Sequence, residues 1–399
     1  MTENQIHIKK KYLNKIIFAI GLAMLFFLQE TEKYNALIVA LSVLLLLMSI
    51  IFKQPIRFRL PAYFAAAFLV YAVFVVEGLL YHHVKPTIDI KFQFFIFFLF
   101  LIFINRPQFN YIRFFVWVNF LTLLIYLLLY FHVIPSFWSD NIVGYRGKLM
   151  GPALIGFIFI AFDYLYQNKP VDKTLIAAFS FSLIYVLLAA NFMNLLIILG
   201  LMFLILVDLK KVFSPKIIGL TGVLFLLFVA FVNSSYVPIL VQKKLQYVSK
   251  PWEYPSFKIR IEDLKKAIKT EKYTPREFIT GKGFGAGTTI YRENKKVQAF
   301  SRWFHFQEID NGFYYVFHRG GLILLLGFIV LNTLFLLVMP NLKSRLAFFL
   351  IVTVTNLLSI HYFNYYFYVF LYFYILNSPY SKKMVFKYRK KLNFQNEAS

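Results

Sequence analysis

The chain has 399 residues, of which 60% are hydrophobic and 50 are Phe, and only 15% carry charge. A soluble domain of this length cannot bury that much apolar side chain, so lipid is the solvent that suits it. The formal charge is +25 and cysteine is absent, which excludes disulfides, thiolate metal sites and cysteine nucleophiles.

The predicted elements are apolar runs at 16–28, 35–52, 60–81, 92–104, 114–134, 151–166, 174–190, 195–207, 217–232, 313–338, 346–360 and 365–377. The first follows Lys9-Lys10-Lys11 but leads into Gln29-Glu30-Thr31-Glu32 with no small-x-small cleavage pattern, so it reads as a retained helix. The fold class expected is all-α: a polytopic integral membrane protein of about 12 transmembrane helices (11–12), forming a single membrane domain over 1–399. Several runs fall short of the roughly 20 residues that span a bilayer, so they extend into their flanks or tilt.

Lys and Arg set the orientation. With the N-terminus inside, the inner segments and both termini hold 22 basic residues and the short outer loops hold Lys33, Lys85, Lys91, Arg146 and Lys148. Both termini are therefore expected on the cytoplasmic side. The remaining 16 basic residues lie in 233–319 with 8 acidic ones. A large extracytoplasmic loop over 233–312 holds most of this segment, and its charge suits either a solvated cap or an anionic ligand.

Within the loop, Ser256 to Lys269 reads as an amphipathic helix begun by Pro255 and Ser256, with Ile261, Leu264 and Ile268 as its apolar stripe. The cluster Gly281-Lys282-Gly283-Phe284-Gly285-Ala286-Gly287 reads as a tight turn whose amides are available to an anion, or as a plain flexible turn. It opens no helix, so it is not a nucleotide loop. No apolar helix carries a charge at its centre: Glu77 lies near an outer end, Asp163 and Asp208 at inner ends. Ion-coupled transport is disfavoured on that ground, and chemistry is expected at the outer face.

Four outer segments hold the polar residues. They are Gly144-Tyr145-Arg146-Gly147-Lys148, Arg260 on the loop helix, the glycine cluster, and Glu308-Ile309-Asp310-Asn311-Gly312-Phe313-Tyr314 running into His318-Arg319-Gly320-Gly321. If a helix begins near Asp310, then Asp310, Tyr314 and His318 share a face, and a carboxylate and an imidazole point into one cavity, where either can take a proton from a hydroxyl. The opposing reading makes Asp310 a helix cap and sends His318 and Arg319 to lipid headgroups.

These segments resemble the bacterial O-antigen polymerase and ligase superfamily, the Wzy-type membrane proteins. The resemblance rests on Arg146-Gly147 with Gly151-Pro152-Ala153, on Arg260 followed by Gly283-Phe284-Gly285, and on Asp310-Asn311, Tyr314-Tyr315 and Gly320-Gly321. Many members carry Ser-Arg-Gly between two earlier helices, where this chain has Ala190-Asn191-Phe192-Met193-Asn194. The ligase branch has histidine at the place of Asp310, which favours polymerase.

The resemblance implies joining of oligosaccharide repeat units carried on undecaprenyl diphosphate into a surface polysaccharide, at the outer face of a bacterial cytoplasmic membrane. It implies Arg146, Lys148, Arg260 and Arg319 at the diphosphate, where fixed cations stabilise the charge of the leaving group. Asp310, Arg260 and His318 are the catalytic candidates, and Asn311 and Tyr314 the sugar contacts. Trp303, Phe304 and Tyr315 suit either sugar stacking or an interfacial belt. No cofactor or metal is expected. The partners the resemblance implies are the lipid-linked oligosaccharide, the growing glycan, membrane lipids and a chain-length regulator, but no nucleic acid. Alternatives are an O-antigen ligase, a single-sugar transferase using Glu30 or Glu32, and a flippase of the same lipid-linked material.

Overall fold

The computed structural model describes residues 12–21, 24, 35–51, 72–74, 76–80, 111–131, 133, 150–188, 192–207, 253, 255–292, 302–306 and 309–358. These are mostly helical. The chain divides into two compact units, one of residues 1–59 and 101–249, the other of residues 60–100 and 250–399. The predicted runs 92–104, 217–232 and 365–377 lie outside the described residues, as do Glu30, Glu32, Arg146 and Lys148.

The first unit contains α1 (Asn35–Ile51), α2 (Tyr111–Tyr130), α3 (Met150–Gln167), α4 (Lys173–Leu188) and α5 (Phe192–Leu206). Each is apolar nearly all round, the pattern of a helix with no watery face. α2 packs on α3 and α4, and α3 on α5. Rings fill the seams: Phe115 meets Phe159 at 4.8 Å and Tyr126 meets Tyr185 at 5.1 Å. Gly156 lets α3 close on α2, since a β-carbon there would lie 2.2 Å from the Asn119 amide oxygen.

The α3–α4 turn is built from its own polar residues. Asn168 takes a left-handed φ of 51°, and Asp163 accepts from Gln167 and Lys169 at 2.7 and 2.6 Å. Asp172 then caps α4, accepting from the Leu175 amide at 2.9 Å. The Tyr164 hydroxyl, 2.6 Å away, and the helix amides hold the Asp172 carboxyl below its ordinary 3.8. A lowered carboxyl pKa stabilises the fold above the unfolded value, and that contribution is lost as pH falls through the folded one. Asp172→Ala is expected to cost about 1 kcal/mol at neutral pH. Thermal melts of the two proteins in detergent converge as the pH is taken below 3.8.

The second unit contains α6 (Pro255–Thr270), α7 (Pro275–Thr280), an antiparallel hairpin of β1 (Thr288–Arg292) and β2 (Arg302–Phe306), then α8 (Gly312–Val338) and α9 (Leu342–Leu358). α6 matches the predicted amphipathic helix with one correction. Ile268 is exposed, and Ala267 takes the core place beside Leu264. The reason is the partner surface: Leu264 and Ala267 meet Ile290, Phe306, Ile309 and Tyr314, and Ile268 falls off that side of the helix. The hairpin was not anticipated. Its residues alternate, with Thr288, Ile290, Phe304 and Phe306 on one face and Thr289, Tyr291, Trp303 and His305 on the other.

α8 is the one helix among the described residues with the length and composition to cross a membrane, over Gly312–Leu337. It is not straight. Gly321 sits at φ 60°, ψ −157°, outside helical space, and kinks it. The arm before the kink is mostly buried in protein. The arm after it presents Leu322, Ile323, Leu326, Ile329, Val330, Leu334 and Leu337 outward. This second arm measures about 25 Å at 1.5 Å per residue. It ends at Met339, whose carbonyl accepts from Arg345 at 3.1 and 3.2 Å, and Asn341 caps α9 through the Ser344 amide at 2.7 Å.

Candidate functional site

The buried first arm of α8 gathers the polar residues of the second unit, beginning with its cap. Asn311 caps the helix, accepting from the Tyr314 amide at 2.8 Å and donating to the Leu357 carbonyl at 3.2 Å. Both ends of its amide are engaged by backbone, so Asn311, expected as a sugar contact, fixes the helix start. The helix therefore begins at Gly312, and Asp310 lies before it. The expected shared face of Asp310, Tyr314 and His318 does not form. Tyr314 and His318 stack at 5.4 Å, and Asp310 turns to α6.

His318 is fully buried. Its Nε2 lies 3.2 Å from the Gly287 carbonyl and 3.5 Å from the Thr288 hydroxyl, and its Nδ1 lies 2.8 Å from the Tyr273 hydroxyl. A carbonyl only accepts, so Nε2 carries a proton, and in the neutral ring Nδ1 accepts from Tyr273. Burial first, then the hydrogen bond to Tyr314 and the nearby Glu271 charge, push the Tyr273 phenol upward, which keeps it a donor. Thr288 closes the ring of contacts, 3.2 Å from the Tyr314 hydroxyl. His318 thus ties the segment before α7 and the start of β1 to α8. Arg319 does not reach for headgroups either. It is 2% exposed, with its guanidinium 4.2 Å over the Tyr315 ring.

The glycine cluster is neither an anion nest nor a loose turn. The amides of Gly281, Lys282, Gly283, Phe284 and Ala286 donate to the carbonyls of Glu277, His318, Arg319, Phe74 and Gly283. A β-carbon on Gly283 would lie 2.2 Å from the α-carbon of Gly78, so backbone crosses backbone there. Glu77, beside Gly78, accepts from Arg276 at 3.1 Å and from the Thr280 hydroxyl at 2.9 Å. Lys282 pairs with Glu271 at 2.5 Å and lies over the Tyr273 ring. Sequence reading missed this docking of α7 on residues 72–80, because the partners are 199 and 203 residues apart.

Asp310 and Arg260 meet instead in an open cleft of about 410 Å³, lined by Ile259, Arg260, Asp263, Arg292, Phe306, Ile309 and Asp310. Arg260 Nε donates to Asp310 at 3.0 Å. Arg292 grips Asp263 with two nitrogens, one of them Nε at 3.1 Å, and its guanidinium lies over Phe306 at 4.8 Å and Phe304 at 5.3 Å. Asp263 and Arg292 were not singled out in the sequence. Asp263 is one charge among many on a basic helix, and Arg292 belongs to a strand that was not foreseen. The cleft has the chemistry of a polar-ligand site: donors and acceptors side by side against an apolar wall. Compared with protein-family models, curated proteins and solved structures, the chain matches none.

Proposed function

We propose that the chain is a polytopic glycosyltransferase of about 12 spans with both termini cytoplasmic. It joins oligosaccharide repeat units, carried on a lipid diphosphate such as undecaprenyl diphosphate, into a surface polysaccharide at the outer face of the membrane. The observation that carries the reading is the direct covalent continuity of two environments. Arg260 and Asp310 meet in a polar cleft, and Asp310 is followed at once by α8, whose second arm exposes an apolar surface fit only for lipid or another apolar partner. A substrate with a sugar head and a lipid tail needs that pairing. The basic residues that follow α9's start, Lys343 and Arg345, support placing the cleft end of α8 outside. In this reading Asp310 takes the proton of the acceptor hydroxyl, and Arg260 holds and orients that carboxylate.

The test is mass spectrometry of lipid-linked and surface glycans from cells lacking the protein, complemented with wild type, Arg260→Ala or Asp310→Ala. Complete single repeat units should persist and long polymer vanish in the deletion, with neither variant restoring more than about a hundredth of it, the usual range for loss of a proton-transfer group. A repeat unit lacking one sugar on chains of normal length would make the protein a single-sugar transferase. Normal polymer in the deletion strain would end the enzymatic reading altogether.

A further inference from the structure

We infer that the cleft between α6, β1 and the start of α8 is the acceptor-saccharide site and takes uncharged, hydroxyl-rich sugar rather than the diphosphate; this rests on the glycosyltransferase reading above. The family resemblance implies Arg260 at the phosphate, but the cleft brings each arginine to a carboxylate. Arg260 with Asp310, and Arg292 with Asp263, sum to no net charge. A diphosphate entering there gains from two guanidinium groups and is repelled by two carboxylates at comparable range, so the site offers it little. Diphosphate oxygens also only accept, and the two aspartates would be left facing acceptors.

A sugar fits the same pattern. Each hydroxyl both donates and accepts, and a guanidinium beside a carboxylate presents donors and lone pairs along one edge. Adjacent ring hydroxyls can bridge such a pair while the sugar's C–H face rests on Ile259, Phe306 and Ile309. The four charges are pre-set for this. Arg292 is held flat by Phe304 and Phe306, and Asp263, 14% exposed, is the deepest of the set. The volume falls within the 300–1,000 Å³ or so of small-molecule sites. Asp263 and Arg292 are accordingly specificity-determining residues, and Asp310 at the rim receives the hydroxyl that reacts.

The experiment uses the full chain in lipid nanodiscs. The probes are the free repeat-unit oligosaccharide, released by mild acid from the lipid-linked pool of the deletion strain, and inorganic pyrophosphate. Binding is read by saturation-transfer NMR, and its place by hydrogen exchange of peptides covering 255–270 and 302–310. The oligosaccharide is expected to protect both peptides. Asp263→Asn and Arg292→Gln should each weaken it about tenfold, as loss of a charged hydrogen-bond partner does. Ile259→Trp keeps the arginine pairs and fills the cleft from an exposed position, so it should block binding without unfolding the protein. Protection of these peptides by pyrophosphate would overturn the assignment, as would oligosaccharide binding indifferent to Ile259→Trp, or no oligosaccharide binding to wild type. Each leaves the polymerase reading standing where the deletion strain still accumulates single repeat units. A deletion strain with normal polymer ends both.

Discussion

Gly321→Ala is expected to destabilise the junction between the glycine cluster and α8 by about 3 kcal/mol, and Gly281→Ala by as much. Both glycines occupy backbone space that is essentially closed to other residues, Gly321 at φ 60°, ψ −157° and Gly281 at φ 78°, ψ −174°. The two sites also face each other. A β-carbon on Gly321 would lie 2.3 Å from the Ile279 carbonyl oxygen and 2.5 Å from the Gly281 nitrogen, and one on Gly281 would lie 2.4 Å from the Arg319 carbonyl. These neighbours are backbone, so no side-chain rotation relieves them. Relief requires the loop to lift away, which breaks the Lys282 and Gly283 hydrogen bonds to the His318 and Arg319 carbonyls. Thermal denaturation in detergent measures the loss, and limited proteolysis within 281–287 reports the lifted loop. Gly327 is the control: nothing lies within 4 Å of a β-carbon there. Gly327→Ala removes a poor helix former and should leave stability unchanged or raise it by up to about 1 kcal/mol. A Gly321→Ala protein that melts with the wild type would show that the kink is not required for docking.

The apolar runs were legible because helix formation in a uniformly apolar stretch depends on local content. The predicted 35–52, 151–166, 174–190 and 313–338 end within two residues of α1, α3, α4 and α8. α6 was legible from its periodicity, and only its roll about the axis was off at Ile268, since the partner surface sets the roll. The kink was hidden because Gly320-Gly321 in an apolar run looks like any small-residue pair; its cause is the approach of Ile279 and Gly281 from the loop. The hairpin Thr288–Arg292 with Arg302–Phe306 left a signal that went unused, a run of β-branched and aromatic residues in alternation. The site was half legible. Arg260 and Asp310 were both singled out, but their pairing across 50 residues was not. Asp310 was assigned to His318's side because helical spacing was counted from two residues too early, before the Asn311 cap.

That misplacement gives His318 a different test from the one its residue type suggests. His318→Leu keeps the volume, leaves the half-buried Gly287 carbonyl without this partner and strips the Tyr273 hydroxyl of one of its two, at an expected cost of about 2 kcal/mol. Tyr273→Phe removes one of those losses in advance. The double variant should therefore be more stable than the sum of the singles predicts, by about 1 kcal/mol, and denaturation of the four proteins measures the coupling. Additivity within about 0.5 kcal/mol would mean the two side chains do not act as a pair. The same position separates holding from chemistry. His318→Gln has an amide that donates and accepts, so it can serve both neighbours in part, but it cannot take a proton at neutral pH. If His318 fixes the loop against α8, the Gln protein recovers stability relative to Leu and, under the polymerase reading, polymer with it. Under the polymerase reading, a well-folded Gln protein that makes no polymer would put the imidazole itself in the reaction.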